Sequence, residues 1–232
     1  MAGLVTHLVL ASEICKRLPE GTIGDRGLFY LGNLAPDAIH LRENYIREYK
    51  KHTHFRDDIL DRDFVKEENR ALFCSRVTDF IVRYREIDDG LLDLYRGYVV
   101  HVLADELYVV TVREEFCKTL EKLDIDQGDP RFFEYVVSDM TRNDFLLAKY
   151  YTDFGDIFKG LEEAKVYPVA GYLSEDEIYS CRDWLLHRYI KDTQEILQPT
   201  YITFEETLDF IQRAADEIVE RLTGGKNFPA MF

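Results

Sequence analysis

The chain reads as an all-α, single-domain helical bundle spanning residues 1–232 and organised around one long central helix. Three observations predict this. Apolar residues recur at helical spacing between the Pro and Gly breaks, strand-like alternation is scarce, and no Ser/Gly/Pro-rich linker divides the 232 residues. The central helix is predicted over 91–123, about 50 Å at the standard rise, and bent if it stays continuous. Its middle, Gly97 to Tyr108, has no Pro and is densely apolar.

The remaining elements follow in order. A first helix over 4–18 is stopped by Pro19 and Gly21, and its apolar face of Leu4, Ala11, Ile14 and Leu18 includes His7. Leu28, Phe29, Leu31 and Leu34 predict a short buried helix ending before Pro36, because the residue preceding proline avoids helical geometry. Asp37 then lies just past that helix end, on a rigid turn, and His40 shares its face if a helical turn follows. Residues 43–60 are polar and irregular, a loop or short helix carrying His52 and His54. A helix over 62–84 buries Phe64, Leu72, Phe73, Val77, Phe80 and Ile81, and Asp88-Asp89-Gly90 breaks the chain and caps the central helix.

Beyond Gly128 and Pro130, a helix over 132–150 carries Glu134, Asp139, Asn143 and Asp144 on an otherwise apolar pattern. Residues 153–173 are punctuated by Gly155, Gly160, Pro168 and Gly171 and read as a loop with short helical pieces. Ser174 and Glu177 form a capping box for a helix over 174–190. The last helix, 203–222, stops at Gly224-Gly225.

Composition bounds the function. A net charge of −15 argues against a protein that holds nucleic acid by its phosphates, and against broad attachment to anionic membranes. No apolar run reaches membrane-spanning length, and the N-terminal stretch lacks the basic region of a signal peptide. The four cysteines are scattered with no C-x-x-C pair, which suits buried thiols rather than disulfides. The expectation is a soluble, cytoplasmic protein.

The chemistry concentrates in the first half. His101 and Asp105 are four residues apart and project from one face of the central helix. A buried imidazole and carboxylate among Val99, Val100, Val102 and Leu103 are costly unless paired with each other or neutralised by a metal ion. His7, Asp37, His52 or His54, His101 and Asp105 make a set of N/O donors without Cys. Such a mixture suits a hydrolytic cluster of two metals ~3.5–4 Å apart better than a structural zinc site. Asp139 with Asn143, and Asp183 with His187, are further i, i+4 pairs; the first could face the same centre, whereas the second sits among exposed charges.

The run THLVLA, then G-N-L-A-P-D, K-x-H-x-H-F and G-Y-x-x-H-x-L-A-D, in that order over about residues 1–110, resemble the zinc-dependent phospholipase C family. The resemblance implies an all-helical fold related to the P1-type nucleases and phosphodiester hydrolysis with bound Zn2+. It also implies ligand roles for His7, Asp37 (bridging), His54 or alternatively His52, His101 and Asp105. Asp37 would further orient or deprotonate the attacking water. The substrate it implies is a small phosphoester or a phospholipid head group.

This chain departs from the family pattern in lacking the N-terminal Trp ligand and any His between His101 and His187. Two zinc ions are therefore expected, with a third site missing or rebuilt from carboxylates such as Asp139 and Asp144. Two alternatives stand beside this reading. A His-Asp phosphohydrolase needs an adjacent His-Asp pair, which none of the six histidines supplies. A non-catalytic helical protein could retain part of the metal cluster without turnover.

Overall fold

The computed structural model describes residues 2–191 and 196–232. Among them the chain forms α1 (Leu4–Arg17), α2 (Arg26–Ala38), α3 (Arg47–Thr53), α4 (Glu67–Tyr84), α5 (Leu92–Val110), α6 (Val112–Glu121), α7 (Pro130–Tyr150), α8 (Phe154–Glu163), α9 (Glu175–Leu186) and α10 (Phe204–Leu222). The sole strand-like pairing among the described residues is a single bridge between Val169 and Leu173. Among the described residues no helix is long and apolar enough to cross a membrane.

Helix α5 is the spine. Every residue from Gly97 to Glu106 is buried, so this helix is covered on all sides rather than along one stripe. Asp89 prepares its start, accepting the Leu91 backbone N–H (2.8 Å) and the Tyr95 hydroxyl (2.8 Å). The long helix predicted over 91–123 runs from Leu92 to Glu121 with a bend at Thr111, whose φ of −124° and ψ of −84° leave the helical region. Its hydroxyl donates to the Leu107 carbonyl at 2.7 Å, a side-chain bond that competes with the backbone ladder. Helix α6 continues from there in a new direction.

The closest helix pair is α2 on α5. A Cβ added to Gly97 would overlap the Phe29 carbonyl oxygen, and one added to Gly32 would overlap the Leu94 carbonyl oxygen. The two backbones touch where neither residue carries a side chain. This contact also explains a departure from the sequence-based expectation: α2 runs through Pro36 to Ala38 instead of ending before it. The missing N–H at Pro36 is offset by packing, since Leu31, Leu34 and Ala35 are fully buried. Asp37 therefore sits in the last turn of α2, followed by one 3-10 turn at Ile39–Leu41.

Helices α1, α8 and α9 pack on α2, and α10 closes over α1 and α5. Among the described residues the buried apolar side chains, Leu28 and Leu146 apart, form one contiguous cluster. Glu106, wholly buried on the spine, bonds to Arg70 of α4 (2.6 Å) and Arg221 of α10 (2.8 Å), tying three helices together.

Several boundaries shift from the expected ones. Helix α4 begins at Glu67 rather than 62, after a 3-10 turn at Asp61–Asp63, and Leu72 faces out. Residues 154–163 form a full amphipathic helix, where a loop with helical pieces was expected. The capping box at Ser174 and Glu177 forms as predicted, and α9 passes into a π-turn at His187–Lys191. All four cysteines are free thiols.

The α2–α5 contact makes a direct prediction. Gly97→Ala should destabilise the protein by about 2–4 kcal/mol, because backbone must move to admit a methyl group. Gly155→Ala, in α8 with open space around it, should be neutral or stabilising by up to about 1 kcal/mol. Urea unfolding of both variants beside the wild type checks the contrast.

Candidate metal centre

Five residues distant in sequence meet beside the spine. His7 comes from the inner face of α1, Asp37 from the last turn of α2, His54 from the end of α3, and His101 and Asp105 from α5. All are buried.

Backbone carbonyls assign the histidine tautomers. His101 Nδ1 lies 2.7 Å from the Asn33 carbonyl oxygen and must donate to it. His54 Nδ1 lies 3.0 Å from the Lys50 carbonyl oxygen and donates likewise. Both Nε2 atoms are then left as bare lone pairs, and they face each other at 3.3 Å. Two lone pairs at that distance repel unless an electrophile lies between them.

The carboxylates complete the arrangement. His54 Nε2 is 3.3 Å from Asp37 Oδ1 and 3.5 Å from Asp105 Oδ2, and His101 Nε2 is 3.9 Å from Asp37 Oδ2. Donors bonded tetrahedrally to zinc at 2.0–2.1 Å stand about 3.3 Å apart, so these separations fit an ion. Two overlapping groups could each hold one: Asp37, His54 and His101, and His7, His101 and Asp105.

Unpartnered atoms point the same way. Neither ring nitrogen of His7 has a hydrogen-bond partner, and neither has Asp105 Oδ2. His7 Nε2 lies 3.3 Å from Asp105 Oδ1, and its ring stacks on His101 with centroids 3.8 Å apart. Buried polar atoms left this way cost free energy, and a cation would satisfy Asp105 Oδ2 and the lone pair on one His7 nitrogen, the other nitrogen carrying the ring N–H. His101 has one free nitrogen and can serve one ion at a time. The fuller donor set is Asp37, His54, His101 and Asp105 Oδ2, leaving His7 and Asp105 Oδ1 as the sparser one.

The protonation states suit ligation. Burial, reinforced by the Lys50 charge, lowers the His54 pKa to about 4, and burial with His7 nearby holds His101 well below the usual imidazole range. Burial alone would raise Asp37, but the Lys50 ammonium bonded to it holds it well below the carboxylate range. Asp105 is likewise held low against its burial, by the N-terminal charge first and by His7 and Lys50 after it.

Three sequence-predicted candidates lie elsewhere. His52 is exposed, pairing with Asp57 at 3.0 Å and stacking on Tyr172, because α3 ends between it and His54 and turns the two rings apart. Asp139 accepts the backbone N–H groups of Thr200, Tyr201 and Ile202, fixing the approach to α10 instead of facing the cluster. Asp144 is the N-terminal cap that Gly3 cannot supply to α1, accepting from Val5 N (3.1 Å) and from Thr6 N and Oγ1 (each 2.9 Å). Neither carboxylate belongs to either group that could hold an ion. Asp183 and His187 are an exposed surface pair at 3.9 Å.

Two contributors went unread in the sequence. Lys50 is buried and its ammonium bonds to Asp37 Oδ1, with His40 Nε2 at 3.2 Å. Its spacing of four from His54 placed both on one helical face, a signal that was available. Asn33 acts through its backbone carbonyl, which no side-chain pattern announces.

A cavity of about 350 Å³ opens beside the cluster, reached through Asp37 and His40. Leu4, Leu41, Val137, Met140 and Trp184 line it, with Arg188 at its wall. Arg188 lies over the rings of Phe145 (5.4 Å) and Trp184 (5.6 Å).

No family model matches the chain, and neither a curated protein nor a solved structure matches it. The resemblance to zinc-dependent phospholipases C therefore rests on the four short runs alone.

The lowered His54 pKa has a sign. The folded protein favours neutral His54, so its contribution is fully present above pH 6.5 and is lost as pH falls from 6.5 toward 4. Chelated wild type should lose about 2–3 kcal/mol of unfolding free energy from this group across that window. His54→Asn, which keeps a donor for the Lys50 carbonyl, should show a flatter dependence in pH-resolved urea unfolding.

Proposed function

We propose that the protein is a divalent-metal hydrolase of phosphoesters, zinc being the ion its donors suit best, and that its substrate is a small phosphodiester. The observation that carries this reading is the pair of facing Nε2 lone pairs of His54 and His101 beside two ionised carboxylates. Asp37, His54, His101 and Asp105 would hold one ion, and His7 with the second oxygen of Asp105 would contribute to another. When bound, such ions supply Lewis acidity, polarising a phosphoryl oxygen and acidifying water near neutral pH.

The chain's own residues have separable roles in this reading. Asp37 lines both cluster and cavity, and orients a water against a substrate entering from the cavity. Its low pKa makes it a ligand and orienting acceptor rather than a strong base. Asn33 and Lys50, through their carbonyls, keep His101 and His54 in the ligating tautomer. Arg188 offers a guanidinium to the substrate's anionic oxygens, and the apolar wall accepts an uncharged ester substituent while excluding bulk water. A reducing compartment suits the four free thiols.

The test is bound zinc per chain, measured beside turnover of a generic phosphodiester such as bis(p-nitrophenyl) phosphate. Asp105→Asn should reduce zinc affinity and turnover together by at least about 100-fold, since even residues that merely orient ligands cost 10–100-fold. Asp183→Asn, on the exposed pair, should leave both unchanged. Zinc binding without turnover would identify a non-catalytic metal protein instead. Wild type that binds no divalent ion would end the hydrolase reading.

A further inference from the structure

The cluster already contains a cation of its own. Lys50 is almost fully buried, and its ammonium sits on Asp37 Oδ1, the carboxylate oxygen that also lies 3.3 Å from His54 Nε2. A second buried cation, Arg56, stacks over the Phe64 ring at 3.8 Å, makes no ion pair among the described residues, and lies within the field of Asp105. Asp37 is thus neutralised by Lys50 within the cluster itself. A divalent ion entering at Asp37 would add two positive charges beside a buried ammonium. It would also meet an ammonium occupying one of its ligand atoms.

We propose that Lys50 is a resident counter-ion of the metal-free cluster, competing with the divalent ion for Asp37 and leaving that carboxylate when the ion binds. The proposal rests on the metal-centre reading above and adds to it an internal antagonist of loading. The lysine has somewhere to go. His40 Nε2 is 3.2 Å from Nζ, the His40 side chain is 38% exposed, and both His40 and Asp37 border the cavity. A flexible four-carbon stem can swing the ammonium outward along His40 without disturbing α3, whose carbonyl at Lys50 must stay in place for His54. The exchange breaks an ammonium–carboxylate ion pair and forms a metal–carboxylate bond, with no redox change and no group transferred.

A consequence follows for the two forms of the protein. Without metal, Lys50 stabilises the fold by neutralising a buried carboxylate; with metal, it opposes the ion that performs the same task. Removing it should therefore weaken the metal-free protein and strengthen metal binding, two effects of opposite sign. A lysine that merely shaped the site would weaken both.

The experiment is titration of chelated, dialysed protein with Co2+, followed by its visible absorption, and with Zn2+ by calorimetry, for wild type and Lys50→Met. Thermal unfolding is recorded with and without the ion. Lys50→Met should bind about tenfold more tightly or better, since the competing ion pair is gone, and should gain more in Tm on adding zinc than wild type gains. Should Lys50→Met be unfolded without metal, recovery of native far-UV circular dichroism on adding zinc supports the proposal, and failure to recover overturns it. Equal or weaker affinity in the variant, with wild type binding normally, also overturns it while leaving the metal centre intact. Absence of binding in both proteins would instead remove the metal-centre reading on which the proposal rests.

Discussion

Everything about the candidate centre depends on two backbones being allowed to touch. Gly32 of α2 and Gly97 of α5 face each other's helices with no side chain between. The approach puts the Asn33 carbonyl within 2.7 Å of His101, one turn along α5 from Gly97. It also carries Asp37, one further turn along α2, to the same level as Asp105. A Cβ at either glycine would separate the helices and withdraw a carbonyl and a carboxylate from His101 together. Helix packing distance is usually a matter of stability; in this protein it also sets donor geometry.

Electrostatics is the second organising constraint. Two ionised carboxylates are buried on the chain's most enclosed helices, in a protein of net charge −15. They persist because donors have been drawn in with them: the Lys50 ammonium at Asp37, and the Ala2 backbone N–H at Asp105 Oδ1 (3.1 Å). The same approach operates one residue along the spine, where Glu106 takes Arg70 and Arg221 as partners. Buried ion pairs of this kind contribute little net stability against an apolar alternative, so their presence points to function or to geometric specification.

Much of this was legible in the sequence, and the parts that were not share a cause. The all-α fold, the spine with His101 and Asp105 and the capping boxes follow from periodicity and spacing, which are local properties, whereas the nomination of His7, Asp37 and His54 comes from the resemblance of short runs. Pro36 inside α2 and the length of α8 depart from the expectation because tertiary packing outweighs local preference there. His52 and His54 could not be separated by spacing alone, since the end of α3 between them decides which ring turns inward. Asp139 and Asp144 were carboxylates at plausible positions. Their actual partners are backbone N–H groups 61 and 138 residues away, which no sequence pattern encodes. Lys50 illustrates the opposite failure: it stood inside the K-x-H-x-H-F run, and its charge made it look like surface.

Glu106 also acts as a rotational stop. It follows Asp105 directly, so its side chain leaves the spine about 100° around the axis from the candidate ligand. Arg70 and Arg221 grip it from α4 and α10, on the side away from the cluster. The angular setting of α5, and with it the direction in which His101 and Asp105 project, is thereby indexed against two outer helices. Arg70 is 38% exposed at its side chain, so a surface residue far from the cavity takes part in aiming its innermost donors.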